Sequence, residues 1–174
     1  MVSYMSPDFC QRKLEEGDMV FSDLGTEFLG YHSDIQPAYI VGKGTKEKLK
    51  LIEASVNMLK AMIAATKPGA TDVDIVNAAI GSISKTQYRD YLKTTTLGHG
   101  YGVGWEYHDL TGATPRLSKN KQTTLKKNMI LCLEPGVIVP TLGGAAVEDE
   151  VIVTDNGCEV ITKCAERAEN LLAS

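Results

Sequence analysis

The segment MILCLEPGVIVP (129–140) sets a carboxylate, Glu134, inside an otherwise apolar, strand-like run, and AAVEDEVIVT (145–154) does the same with Glu148. Carboxylates are poor strand formers and unfavourable to bury unpaired. If these are core strands, the fold must bring each glutamate a strong partner. Lys and Arg cluster elsewhere in the chain, which leaves a divalent cation as the simplest partner. Nearer the N-terminus, DLGTEFLGYHSD begins and ends on aspartates, Asp23 and Asp34, eleven positions apart across a turn. His99, in GHG, adds an imidazole.

Each residue alone has an ordinary reading. Asp23 and Asp34 serve as solvated turn residues, since Asp bonds its own backbone in turns. A lone histidine between glycines reads as a loop or packed residue, Glu134 before Pro135 as a strand end, and Glu148-Asp149-Glu150 as a solvated acidic edge. Their joint occurrence in this order favours a shared site. Four carboxylates and one imidazole form a hard-to-borderline donor set suited to Mn, Fe, Co or Zn. Two divalent ions carry the charge that four carboxylates neutralise, and two ions ~3.5–4 Å apart lower the pKa of a shared water towards ~7.

The order of elements predicts an α+β domain. DMVFSDLG and FLGYHSDIQPAYIVG read as two strands of a hairpin. After Gly42 the apolar residues Leu49, Ile52, Val56, Leu59 and Ile63 recur at helical steps, with Thr45 as the cap. KPGAT breaks that helix. Thr71 starts a second one, with Val73, Val76, Ile80 and Ile83 on its apolar face and Asp74 complementing its N-terminus. TTTLGHGYGVGW is glycine-rich and β-like, and Leu110 to Asn128 reads as an exposed polar insertion. Two strands joined through TLGG follow, then a closing strand in NGCEVIT and a short tail. Strands, then helices, then strands favours α+β over a doubly wound sheet.

At 174 residues the chain is long enough for one domain with a sizeable core. A net charge of −4 argues against a nucleic-acid groove. No apolar run approaches the ~20 residues of a membrane helix, and MVSYMSPDFCQRKLEEGD lacks the order of a signal peptide. Cys10, Cys132, Cys158 and Cys164 show no CxxC pairing and read as reduced thiols of a cytoplasmic protein.

Four stretches taken in order, GDMVFSDLGTEFLGYHSDI, GHGYGVG, LCLEPGVIVP and VEDEVIVTDNGCEVIT, resemble the pita-bread metallohydrolases. That family includes methionine aminopeptidase, aminopeptidase P, prolidase and a relative without the metal, creatinase. The resemblance implies a pita-bread fold and a dinuclear metal centre ligated by Asp23, Asp34, His99, Glu134 and Glu148. It implies that Asp23 binds one metal, that Asp34 and Glu148 bridge both, and that His99 and Glu134 complete the second. Glu134 is then also the general base that handles the proton of a metal-activated hydroxide.

The same resemblance implies a hydrolase of the Xaa-Pro dipeptidase or aminopeptidase type, acting near the N-terminus of small peptides. Its cofactors would be two divalent ions, manganese, cobalt, iron or zinc. Two departures qualify this. Proline-directed members carry a second histidine seven places after the metal histidine; here that place holds Glu106, and His108 stands nine places on. His108 is therefore a candidate substrate-side donor or a loop residue. The long segment from His99 to Glu134 also resembles the non-peptidase branches, creatinase-like amidinohydrolases and sulfonium-propionate lyases. An inactive peptide- or protein-binding module of the same fold is a further alternative. The family's catalytic domain begins well upstream of Met1, and Ser3 stands nearest to a missing substrate-side histidine. The expectation is a partial C-terminal catalytic domain, 1–174, incomplete at its N-terminus. Exposed sheet edges would favour a homodimer. The expected partner is a small peptide or small-molecule substrate, with no nucleic acid and no membrane.

Overall fold

The structure is a computed structural model, and it describes residues 12–91 and 123–173. The first hairpin forms as its strand-like pattern predicts, in two sections. β1 (Met19–Phe21) pairs antiparallel with β4 (Ala38–Ile40), and β2 (Leu24–Phe28) pairs with β3 (Tyr31–Ile35). Leu29 and Gly30 close the tip with φ of 52° and 85°. Two successive residues at positive φ match the right-handed twist of the flanking strands, and the glycine takes this conformation without strain.

The helices begin where their capping residues stand. α1 (Lys46–Ala65) starts at Thr45, whose side chain accepts the Lys48 N–H. α2 (Asp72–Ile83) starts at Thr71 in a reciprocal capping box with Asp74. Both arrangements satisfy N–H groups that a helix start leaves orphaned. Leu51, Ile52, Met58, Leu59 and Met62 of α1 are fully buried against Ile75 and Ile83 of α2 and against the strands that follow. Burying each such side chain contributes about 1.5–3 kcal/mol.

The second half repeats the logic of the first. β5 (Ile130–Leu133) pairs with β8 (Asp149–Val153), β6 (Gly136–Val139) pairs with β7 (Gly143–Ala146), and β9 (Cys158–Val160) adds to β8. The buried Ser55 hydroxyl of α1 lies within hydrogen-bond distance of the Ala145 carbonyl at 2.7 Å and the Pro135 carbonyl at 3.2 Å. That fixes the second hairpin against the long helix.

Two expectations need correction. The segment after β9 is no tail but a helix, α3 (Cys164–Ala173), docked on α1. Its N-terminus is capped from a distant strand: Asp149 accepts the N–H groups of Cys164 and Ala165 at 2.7 and 2.9 Å. No local residue announces such a cap. The stretch expected as an exposed insertion also ends differently. Leu125 is buried, its N–H bonds the Ala70 carbonyl, and Thr124 bridges to Thr71. Residues 92–122 lie outside the described residues, and with them TTTLGHGYGVGW, His99, Glu106 and His108. Among the described residues no helix is long and apolar enough to cross a membrane.

Candidate metal centre

The two hairpins share one device: each ladder opens for two residues per strand and then resumes in the same register. In the first, Phe21 faces Ala38 and Leu24 faces Ile35, so Ser22 and Asp23 lie across from Gln36 and Pro37. In the second, Leu133 faces Asp149 and Gly136 faces Ala146, so Glu134 and Pro135 lie across from Val147 and Glu148. A proline sits at each opening because it has no N–H for the ladder.

Register decides which side chains share a face, since directly opposed residues of an antiparallel pair point the same way and successive residues alternate. By this count Asp23, Asp34 and Gln36 share one face of the first hairpin, and Cys132, Glu134, Glu148 and Glu150 share one face of the second. Leu133 and Asp149 point the other way, Asp149 to the N-terminus of α3. The hairpins are stitched edge to edge. The Glu148 N–H donates to the Gln36 carbonyl at 2.9 Å, and the Asp34 N–H donates to Oε1 of Glu150 at 2.6 Å.

The acidic run is therefore not a solvated edge. Glu148 and Asp149 are 1% exposed and Glu150 is 5% exposed. Asp34 and Glu134 are buried as well, whereas Asp23 is exposed. Donor atoms of Asp34, Cys132 and Glu148 lie within 4.8 Å of one another. Among the described residues neither oxygen of Glu148 has a hydrogen-bond partner, nor does either polar atom of the Gln36 side chain.

The electrostatics follow from this crowding. Burial first, then the charges of Glu134, Asp34, Asp23 and Glu150, pushes Glu148 up to about 10. Burial also raises Glu150, opposed by the N–H it accepts from Asp34. The Cys132 thiol is driven far above its ordinary range by burial, with Glu148, Glu150, Asp34 and Glu134 adding to the effect. Among the described residues, every charge acting on Glu148 is another carboxylate. Like charges facing each other across a ladder are destabilising, and a buried carboxylate left without a donor costs several kcal/mol. The oxygen-rich donor set with an orphaned buried carboxylate fits a hard-to-borderline divalent cation.

Of the residues expected to ligate, the structure brings Asp34 and Glu148 into one cluster and sets Glu134 and Asp23 near enough to act on Glu148. His99 and His108 lie outside the described residues. Sequence reasoning missed Cys132, Gln36 and Glu150 as neighbours of the centre. The signal was present, since each stands two positions from a named ligand and so shares its face.

Comparison with known proteins shows the family and the fold. The profile of metallopeptidase family M24 matches residues 1–155. A Xaa-Pro dipeptidase of Pyrococcus furiosus is 36% identical over 152 residues, covering 87% of this chain and 42% of that protein. A putative dipeptidase of Bacillus subtilis is 35% identical over 150 residues, covering 86% of this chain and 39% of that protein. Among solved structures, the prolidase of Pyrococcus horikoshii superposes with a TM-score of 0.79 at 31% identity, covering 88% of this chain and 42% of that one. The Xaa-Pro dipeptidase of Bacillus anthracis gives 0.79 at 30% identity, covering 88% and 41%. The chain thus spans less than half the length of these relatives. With two proline-broken hairpins bringing carboxylates to one buried face, and with the family profile matched over most of its length, this chain belongs to metallopeptidase family M24 and has the pita-bread fold.

Proposed function

We propose that the chain carries the dinuclear metal centre of a hydrolase of the Xaa-Pro dipeptidase or aminopeptidase type, cleaving a peptide bond near the N-terminus of small peptides. The observation that carries this reading is Glu148, buried, with both oxygens unpartnered among the described residues and other carboxylates around it. A divalent cation would relieve that arrangement without protonating it, and no described residue donates to either oxygen. The Xaa-Pro dipeptidases among the relatives support the substrate class.

In this reading Asp23, Asp34, His99, Glu134 and Glu148 would hold the metal pair, with Asp34 and Glu148 shared between the two positions. The chemistry such a pair would supply when bound is Lewis-acid polarisation of a carbonyl and a lowered pKa for a bound water. Glu134 is the general base: across the ladder opening from Glu148, it accepts the proton of the attacking water and returns it to the leaving amine. Its burial keeps bulk water from competing for that proton. His108 is the candidate donor to the substrate carbonyl, its alternative role being that of a loop residue.

The test is metal content per chain, measured beside amino-acid release from Xaa-Pro dipeptides, for the wild type and Asp34→Ala. About two metals per chain, falling sharply in the variant together with metal-dependent release, supports the reading. Bound metal with turnover of creatine-like or sulfonium substrates and not of peptides transfers the centre to the amidinohydrolase or lyase alternative. Peptide binding without metal and without cleavage leaves only a binding module.

A further inference from the structure

We propose that Cys132 is a direct metal ligand, its sulfur joining the carboxylates of Asp34 and Glu148 so that one metal position has a mixed sulfur–oxygen donor set and prefers zinc, cobalt or cadmium to manganese. This rests on the reading that Asp34 and Glu148 hold metal, and it adds a donor outside the five expected ligands.

Three observations carry it. The donor atoms of Asp34, Cys132 and Glu148 all lie within 4.8 Å of one another. Zinc–sulfur bonds of about 2.3 Å and zinc–oxygen bonds of about 2.0–2.2 Å hold the donors of one tetrahedral ion roughly 3.3–3.7 Å apart, so the triangle closes with each donor moving by no more than about 1 Å. Second, Cys132 stands opposite Glu150 in the β5–β8 register and two positions before Glu134, which points its side chain to the carboxylate face rather than to the helices. Third, both Glu148 oxygens are buried and unpartnered among the described residues, so the cluster contains a group that calls for a ligand.

The bland reading is that Cys132 fills space as a small buried hydrophobe. An apolar filler, however, has no reason to sit among four carboxylates rather than among the leucines on the other face of β5. Soft sulfur changes the choice of metal: carboxylates alone accept manganese readily, whereas a thiolate selects thiophilic ions. On binding, the S–H bond breaks, the sulfur–metal bond forms and the proton leaves to solvent. The other described thiols have partners outside the Asp34–Cys132–Glu148 triangle, Cys164 through a hydrogen bond from the Gln36 backbone. Cys158 donates to the Ile63 carbonyl at 3.4 Å, and Cys164 begins α3.

The experiment loads the metal-free 174-residue chain with cobalt(II) and records its absorption, for the wild type, Cys132→Ser and Cys132→Ala. The expected result is a near-ultraviolet sulfur-to-cobalt charge-transfer band in the wild type that both variants lose while keeping the visible ligand-field bands. The ratio of cadmium to manganese affinity should fall by about an order of magnitude in the variants. Ligand-field bands without the charge-transfer band in the wild type overturn the proposal and leave the carboxylate centre standing. Failure of the wild type to bind cobalt at all overturns both readings. Should neither variant fold, X-ray absorption of the zinc-loaded wild type decides: a sulfur neighbour at about 2.3 Å supports the proposal, and a shell of oxygen and nitrogen alone overturns it.

Discussion

The Asp34 backbone N–H donates to Oε1 of Glu150 at 2.6 Å, joining residues 116 positions apart in the chain. Glu150 thereby holds β3 against β8, beside the Gln36–Glu148 bridge. It does so at an electrostatic penalty, since it also adds a charge to the cluster around Glu148. Acceptor and charge separate by mutation. Glu150→Gln keeps an oxygen for the Asp34 N–H and removes the charge, whereas Glu150→Ala removes both. The metal-free Gln variant should match or exceed the wild type in stability. The Ala variant should fall about 1–2 kcal/mol below the Gln variant, the worth of a buried hydrogen bond. Urea unfolding in the presence of a chelator reads the order. If Ala and Gln prove equally stable, the tie between the hairpins contributes nothing.

Glu148→Gln separates folding from metal binding. With its acid pushed up to about 10, Glu148 is mostly neutral near pH 7 in the metal-free chain, and glutamine is the isostere of that neutral form. Metal-free stability near pH 7 should change by less than about 1 kcal/mol. The rise in Tm on adding a divalent metal, present in the wild type through mass action, should vanish. Thermal unfolding with and without metal tests both halves, and an undiminished metal-induced rise counts against Glu148 as a ligand.

A pH effect is expected at the entry to β1. Asp18 is lowered from 3.8 to about 2, chiefly by its hydrogen bond from Arg12 and then by the Glu15 N–H. A carboxylate depressed on folding adds stability that is present above 3.8 and lost as pH falls through about 2. The Asp18 carboxyl resonance should therefore titrate near 2 in the wild type and move up towards 3.8 in Arg12→Ala. An unchanged midpoint in the variant removes Arg12 as the cause.

What was legible in the sequence was local. Thr45 and Thr71 announce the two long helices because each cap bonds a backbone N–H three residues on. The hairpins were legible through their apolar runs, and Glu134 and Glu148 stood out because a strand interior has no use for an unpaired carboxylate. α3 was not legible, because the residue that caps it belongs to β8 and no helix-start signal lies beside it. Cys132, Gln36 and Glu150 were overlooked for another reason. Each was weighed by its own chemistry rather than by the strand period of two that puts it on a ligand's face. The openings at Pro37 and Pro135 were likewise hidden, since a proline in a strand signals a break but not that the register survives it.

Strand alternation makes its sharpest demand at Asp149, which lies between two residues of the acidic face yet serves the opposite one. Its oxygens accept from Thr162 Oγ1 at 2.6 Å, from Cys164 N at 2.7 Å and from Ala165 N at 2.9 Å, and it is 1% exposed. Asp149→Ala leaves two helix-start N–H groups and a hydroxyl without their acceptor, and should cost about 2–4 kcal/mol. Asp149→Asn keeps a carbonyl oxygen and should lose about half as much. Because the side chain points away from Glu148, cobalt bound per folded chain should equal the wild type in both variants, whereas Glu148→Gln, one residue away, should lose it. Urea unfolding and metal content on the same samples give the two readouts. Loss of metal in Asp149→Asn at retained fold would show that the two faces of β8 are not separate, and the register argument for the centre would fall with it.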